Sequence, residues 1–375
     1  MANLINEIKQ INVLQVINSL HAGGAEVLLK NLILQVKKNN KKYKDFNIEA
    51  AILYPEDLFK EEIEKAGIVV WELGLRFKYD LRGVIKLISL IKRGKYNIVH
   101  VHLFPANFFG SLASLFLPKN IKFIFSEHNV YNRRRSFKIF KILDRFIYGG
   151  YYRIICVSKQ VQVALIEWLP KLKRKCVVIS NAVSVPDLSN WSTIKEYDIL
   201  FVGRLTKAKG VDILFRAIKI LKEKYQMGIK AAVAGEGYLE EELKELVKEL
   251  GIGEEVEFLG VRRDIERLMK SAKIFVLPSR WEGLPLTILE AMSSGVGIIA
   301  ARVGGIPEVI EHKKEGILIS PEDPEALAKA VAELLKDGEL RAKLGINAYK
   351  KVKEKYSIEV YTKNILEFYK SLINK

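Results

Sequence analysis

The sequence is sparing with the residues that build covalent and metal frameworks: of 375 residues, two are cysteine and five histidine. Cys156 and Cys176 are too few for a disulfide scaffold and lack metal-ligand spacing, so the chain is expected in a reducing, cytoplasmic compartment. Both fall in short apolar runs that read as buried strands. His100 and His102 form an H-x-H pair, but no Cys or carboxylate cluster at ligand spacing accompanies them, which argues against zinc. A Walker loop, a G-x-S-x-G elbow, an H-E-x-x-H pair and any Asp-x-Asp are also missing. P-loop, hydrolase-elbow and zincin chemistries are thereby excluded, and no metal site is expected. Long uncharged runs are scarce too. The longest, between Lys95 and Lys119, is broken by His100, His102, Pro105 and Asn107 into a strand plus a helix, not a membrane span. Glu7 and Lys9 precede the first apolar run and no small-residue cleavage site follows, so the start does not read as a signal peptide.

What the sequence has in excess is positive charge, with 61 Lys/Arg against 44 Asp/Glu and a net charge of +17. The excess is uneven: residues 1–190 carry +15 and residues 191–375 carry +2. A basic half beside a nearly neutral half predicts two domains with different partners. The first should meet something anionic, such as a phosphorylated acceptor, nucleic acid or a membrane surface. Length and a hydrophobic fraction of 49% allow a sizeable core in each.

Short apolar runs alternate with helical patterns: INVLQVI (11–17), NIEAAIL (47–53), NIVHVHL (97–103), KFIFSEH (122–128), RIICVS (153–158) and KCVVIS (175–180). Such runs, bounded by turns and joined by helices, are the mark of parallel strands covered on both faces. A Pro/Ser/Asn-rich stretch, 184–196, reads as a linker. The alternation then restarts with strands at 197–203, 229–235, 255–260, 273–279, 297–303 and 315–320. The expected organisation is therefore α/β: a doubly wound, Rossmann-like domain over 1–183, a second over 197–355, and a cleft between them. The tail, 356–375, reads as a helix with Ile358, Tyr361, Ile365, Phe368 and Leu372 in one stripe, able to cross back to the first domain.

Glycines and charges gather where strands end. Pro278–Gly295 (PSRWEGLPLTILEAMSSG) follows a strand, with Gly283 in a turn, Pro285 at the first helical position, and Glu282 and Glu290 eight residues apart. A helix start offers free N–H groups to phosphate, and two carboxylates can accept hydrogen bonds from one polyol. Gly203-Arg204-Leu205 closes another strand and leads to Lys209 and Gly210, so two cations can meet one diphosphate. Gly235-Glu236-Gly237 is a tight turn, but Glu240 stands where a dinucleotide fingerprint needs its third glycine. In the first half, Gly23 and Gly24 follow the first strand and Ser126-Glu127-His128-Asn129 ends another. Taken singly, each also reads as an ordinary loop, helix start or structural histidine.

Taken in order, GGAE, VGRL with KG, GEG and PSRWEGLPLTILEAMSSG resemble the retaining nucleotide-sugar glycosyltransferases of family 4, over about residues 12 to 315. The resemblance implies a GT-B architecture and a nucleotide-diphosphate sugar as co-substrate, with no cofactor. It assigns Arg204 and Lys209 to the donor diphosphate, Glu290 to the ribose hydroxyls and Glu282 to the donor sugar. Gly283 and the amides of Leu284 and Leu286 would approach phosphates and sugar, with Gly235 and Glu236 nearby. His128 would face the transferred sugar, and Gly23 and Gly24 would lie beside the diphosphate and acceptor. Asn181-Ala182 departs from the family's usual Asn-Gly. Two other classes stay open: a nucleotide-sugar epimerase on the same fold, and a basic nucleic-acid-binding protein, although no recognisable RNA or DNA module is present and no nucleic acid is expected.

The acceptor expected is a glycan or lipid-linked molecule at an anionic membrane surface. From Arg133 to Lys175 there are 12 Lys/Arg against Asp144 and Glu167 alone. Ile139, Phe140, Leu143, Phe146 and Ile147 are expected on one helical face, with Lys138, Lys141 and Arg145 largely off it. Such a helix suits peripheral attachment to the inner face of a membrane.

Overall fold

The computed structural model describes residues 10–21, 23–55, 58–187 and 195–373. The expectations for Glu7 and Lys9, and for the middle of the linker at 188–194, lie outside these residues. The chain divides into two compact units, Met1–Ser180 with Ile358–Lys375, and Asn181–Ser357.

Unit 1 alternates β1 (Ile11–Ile17), α1 (Gly24–Lys38), β2 (Phe46–Ile52), α2 (Lys60–Lys65), β3 (Val70–Glu72), α3 (Arg82–Gly94), β4 (Ile98–His102), α4 (Ala106–Ser114), β5 (Lys122–Glu127), α5 (Phe140–Gly149), β6 (Arg153–Cys156), α6 (Lys159–Trp168) and β7 (Cys176–Val178). Its seven parallel strands lie in the order β3-β2-β1-β4-β5-β6-β7. Every residue of β4 is buried, because helices cover both faces and no side of the strand reaches water. The winding direction reverses between β1 and β4, and the crevice outside the carboxyl ends of those two strands is where such sheets bind ligands.

Unit 2 repeats the plan with β8 (Tyr197–Val202), α7 (Val211–Glu223), β9 (Ala231–Ala234), α8 (Glu240–Glu249), β10 (Val256–Gly260), α9 (Ile265–Ser271), β11 (Ala272–Leu277), α10 (Leu286–Ser293), β12 (Gly297–Ala301), α11 (Ile306–Val309), β13 (Ile317–Ile319), α12 (Pro324–Lys336) and α13 (Gly338–Lys355). The strand order is β10-β9-β8-β11-β12-β13, again parallel, and the reversal falls between β8 and β11. The loops after these two strands hold the Arg204–Lys209 and Glu282 segments.

The last helix, α14 (Ile358–Ile373), belongs to unit 1 and packs on α1. Its buried stripe is Ile358, Tyr361, Ile365, Leu366, Tyr369 and Leu372. Phe368, expected in the stripe, is only half-buried, and Tyr369 takes its place because its hydroxyl finds partners in the unit 1 core.

Helix α5 turns Ile139, Leu143 and Phe146 of the expected apolar face outward, but Phe140 is half-buried, Ile147 is inward, and Ile142, not expected on that face, is outward. Asp144, Ile147 and Tyr148 face inward, while Ile139 and Ile142 are 71% and 70% exposed and Phe137, Leu143 and Phe146 lie at the surface. The rotation follows from Asp144. Its carboxylate accepts from Trp168 Nε1 at 3.0 Å and lies 3.4 Å from the Arg134 guanidinium, so the helix turns this polar residue in and carries Ile147 and Tyr148 inward with it.

Candidate active site

In unit 2 the loops at the winding reversal are fixed to one another through their backbones. A Cβ on Gly235, whose φ is +136°, would stand 2.0 Å from the Gly203 carbonyl oxygen, and one on Gly237 would stand 2.2 Å from that of Leu205. These glycines are therefore required by the contact between two loops, which Leu205 N–H completes by donating to the Glu236 carbonyl at 2.8 Å. The Glu236 side chain is exposed. Gly304, at φ +54°, allows a similar approach to the Glu282 carbonyl, and Gly305 N–H donates to Gly283 at 2.6 Å.

Upon this frame the charges are arranged unequally. Lys209 Nζ lies 2.6 Å from Glu282 Oε1, and Ser279 Oγ donates to the same oxygen at 2.7 Å. Sequence reasoning places Lys209 at the diphosphate and Glu282 at the sugar; the structure brings them into one half-buried pair. Arg204 is exposed, and its guanidinium makes no hydrogen bond or ion pair with a described residue. Glu290 is half-buried with no cation against it among the described residues, and burial pushes its carboxyl up to about 7. Leu284 and Leu286 are buried, and Pro285 is the N-cap residue of α10, one position earlier than expected. A proline side chain cannot cap, so the N-cap residue supplies no side-chain acceptor to the first N–H groups of this helix. Asn181 Nδ2 donates to the Leu284 carbonyl at 2.7 Å, which anchors the turn from the other side.

Two residues here carried no assignment from sequence. Arg280 donates to both carboxylate oxygens of Asp212 at 2.8 Å, to Glu322 at 3.1 Å and to the Lys207 carbonyl at 3.0 Å, joining three loops. Those carboxylates raise its pKa. The residue stood inside the quoted motif, but its partners lie 68 and 42 positions away. Thr287, in the first turn of α10, has a buried hydroxyl without a partner among the described residues.

Unit 1 presents a different chemistry at its carboxyl edge. Gly23 is the N-cap of α1, and the Glu26 carboxylate folds back to within 2.2 Å of where a Gly23 Cβ would be. Gly24 is exposed. His128 follows β5, half-buried, and burial pushes it down to about 4, so the ring is neutral. Its Nε2 has no partner among the described residues. The neighbouring Glu127 is engaged elsewhere, accepting from Arg135 at 3.0 Å, from the Tyr148 hydroxyl and from Asn129 N–H. His102 stands with its ring centroid 6.0 Å from that of His128 and 4.1 Å from that of His100. Among the described residues no group of three or more His, Cys, Asp or Glu is placed to hold a metal ion.

Two family models match the chain: "Glycosyltransferase Family 4" over residues 22–185 and "Glycosyl transferases group 1" over residues 190–351. An uncharacterized glycosyltransferase of Methanocaldococcus jannaschii is 30% identical over 308 residues, covering 76% of this chain and 78% of that protein. The UDP-Gal:alpha-D-GlcNAc-diphosphoundecaprenol alpha-1,3-galactosyltransferase of Escherichia coli is 28% identical over 275 residues, covering 69% and 71%. Among solved structures, Anabaena HepE in complex with UDP and glucose superposes with a TM-score of 0.83 at 21% identity, covering 96% of this chain and all of that one (100%). Two parallel-sheet units of this topology and the match of one model to each agree: the chain belongs to the family 4-type GT-B glycosyltransferases.

Proposed function

We propose that this glycosyltransferase moves a sugar from a nucleotide-diphosphate sugar to a hydroxyl of a glycan or lipid-linked acceptor, with retention of configuration and without a metal ion. The observation that carries the reading is the charge arrangement of unit 2. A guanidinium without a partner among the described residues (Arg204), an ammonium held in place by Glu282 (Lys209) and the start of α10, whose N-cap proline supplies no side-chain cap, gather at the winding reversal. Cations and helix-start amides stabilise the charge that develops on a departing diphosphate, the role a metal would otherwise fill. Glu290 is the ribose acceptor, since a buried carboxylate without a cation is relieved by donors from a ligand. His128, neutral and with an unpartnered Nε2, faces the transferred sugar. In the transfer, the acceptor oxygen bonds to the anomeric carbon as the bond to the diphosphate breaks on the same face. The acceptor proton passes to a phosphate oxygen of the leaving group, so no protein nucleophile is needed.

UDP-sugars are the first donors to test, because the E. coli relative is named for UDP-Gal and the Anabaena structure holds UDP. A thermal-shift panel of UDP-, GDP- and ADP-sugars should give one stabilising nucleotide by mass action. Transfer from that donor should persist in EDTA and give an axial or equatorial product bond matching the donor's. Loss with EDTA and recovery with magnesium, or an inverted product, refutes the mechanism. Conversion of the donor without any acceptor favours the epimerase.

The acceptor side extends the proposal to an anionic membrane surface, inner-face and peripheral. No described helix is long and apolar enough to cross a membrane. The support is the outward face of α5 and the turn before it, where Phe137, Ile139, Ile142 and Phe146 are exposed beside the exposed Lys138 and Arg145. Apolar side chains interleaved with cations match an acyl boundary under anionic headgroups, each cation contributing about 1 kcal/mol. Co-sedimentation should therefore be strong with anionic vesicles at low salt, weak with neutral ones, and reduced by Ile139→Glu with Ile142→Glu. Equal binding to both vesicles, or none, overturns the docking surface and makes a soluble acceptor the better reading.

A further inference from the structure

Unit 1 contains a chain of neutral side chains whose hydrogen-bond directions can be read from end to end. Gln15 Nε2 donates to the Tyr369 hydroxyl at 2.9 Å. Tyr369 then has its own proton for His100 Nδ1, 2.7 Å away, and His100 Nε2–H is left to donate to Ser126 Oγ at 2.8 Å. In the other direction Gln15 Oε1 can only accept. The nitrogen facing it at 2.9 Å, His102 Nε2, must carry the proton, and His102 Nδ1 is then a bare lone pair. That Nδ1 is buried without a partner among the described residues, and the residue is only 3% exposed.

An acceptor left empty inside a protein costs roughly 1–3 kcal/mol, and here a whole network fixes the tautomer that leaves it empty. Its place is informative. His102 ends β4, which pairs with β1 at the winding reversal, and lies opposite Ser126 in β5, two residues before His128. His128 Nε2 is the second unpartnered ring nitrogen of the same edge. Burial holds both rings neutral, so neither repels the other and each is free to accept or donate to a hydroxyl.

We infer that His102 Nδ1 accepts a hydrogen bond from a hydroxyl of the sugar that faces His128, making His102 a second sugar-reading residue of unit 1. The inference rests on the proposed placing of His128 at the transferred sugar. A sugar hydroxyl supplies the donor the fold withholds, and the Gln15–Tyr369–His100 network supplies the fixed ring.

Two near-isosteric variants of the full chain separate this role from a structural one. His102→Asn keeps an acceptor near the position of Nδ1 but loses the bond to Gln15. His102→Gln keeps a donor toward Gln15 but has no acceptor at Nδ1. The expected result is a loss of kcat/KM of about 10–100-fold in His102→Gln with a melting temperature near that of wild type. His102→Asn should lose several degrees of melting temperature yet stay within about fivefold in kcat/KM. The reverse ranking, or full activity in His102→Gln, means the nitrogen holds only water and overturns the inference. If either variant fails to fold, single-deoxy donors with wild type decide. One of them must lose about 10–100-fold, and uniform rates across the series refute the contact. Wild type that transfers no sugar from any nucleotide sugar rejects the function itself, a result distinct from these.

Discussion

The carboxyl edges of the two sheets are built from the same topology and opposite electrostatics. In unit 2 the loops are braced by ions, Arg280 to Asp212 and Glu322 and Lys209 to Glu282, over backbones in direct contact at Gly235, Gly237 and Gly304. In unit 1 the corresponding edge is wired by neutral rings, His100, His102 and His128, with Gln15 and Tyr369. Of the two cations proposed for a diphosphate, Lys209 is already held in position by Glu282 and loses little side-chain freedom on binding, whereas Arg204 is exposed and is ordered by the ligand itself. A sugar needs neutral donors and acceptors in a fixed pattern, and hydroxyl recognition by uncharged groups is sharpest where a missing partner leaves a buried atom unpaired.

The comparison breaks most readily at the cations. Arg204→Ala and Lys209→Ala should each remove about 2–4 kcal/mol of transition-state stabilisation, a loss of roughly 30- to 1,000-fold in kcat/KM. They should differ in stability. Arg204 has no side-chain partner among the described residues, so its removal leaves the melting temperature in place. Removing Lys209 strands the Glu282 carboxylate, which is 10% exposed and keeps the Ser279 hydroxyl as a donor, and should cost about 1–3 kcal/mol in addition. Near-wild-type activity in both variants would sink the donor assignment. Glu282→Gln and His128→Ala should lower turnover more than nucleotide affinity, whereas Glu290→Ala should chiefly weaken nucleoside diphosphate binding. Titration calorimetry beside steady-state kinetics tests that ranking.

Glu290 sharpens the contrast further. Its folded pKa of about 7 stands above the ordinary 4.5, so the folded state is fully stable with respect to this group below pH 4.5 and loses stability as pH rises through 7. The displacement corresponds to roughly 3 kcal/mol at pH 8. Glu290→Gln should therefore raise the melting temperature at pH 8, leave it unchanged at pH 4, and weaken nucleotide binding. An unchanged melting temperature at both pH values would mean that the carboxylate is solvated.

Much of this was legible in the sequence, for reasons that also mark where legibility stops. Parallel strands buried on both faces are written as continuous apolar runs, so NIVHVHL and KIFVLPS announce their place. Glycines at strand ends announce loops, since a side chain would collide there. Periodicity, however, says which residues share a face and not which way it points. Helix α5 keeps Ile139, Leu143 and Phe146 outward as expected but turns Ile147 inward, because Asp144 beside it meets Arg134 and Trp168, partners outside the helix. Arg280 reads as one more basic loop residue until Asp212 and Glu322 arrive from elsewhere in the fold. The empty nitrogen of His102 is further still from the sequence, because it depends on a tautomer set by Gln15, which in turn is set by Tyr369 from the far end of the chain.

The smallest effect tests the comparison as a whole. Burial pushes His100 down to about 3 and His128 to about 4, and holds His102 well below the usual 6.5. For a histidine buried neutral, the folded state binds fewer protons than the unfolded chain. The stability is complete above pH 6.5 and is lost as pH falls toward the folded value. Between pH 7.5 and 6, His100 and His128 should each cost unit 1 roughly 0.8 kcal/mol, and His102 acts in the same direction. Over the same interval Glu290 takes up its proton and should return about 1 kcal/mol to unit 2. Asp144 in unit 1 is raised by burial and so works against the histidines. Hydrogen exchange resolves the units separately. Protection of the β4 and β5 amides should fall on acidification to pH 6, after correction for intrinsic exchange, while that of β8 and β11 holds or rises. Parallel losses in both units would mean that the histidines and Glu290 do not set the acid response, and the electrostatic contrast between the two edges would not extend to stability.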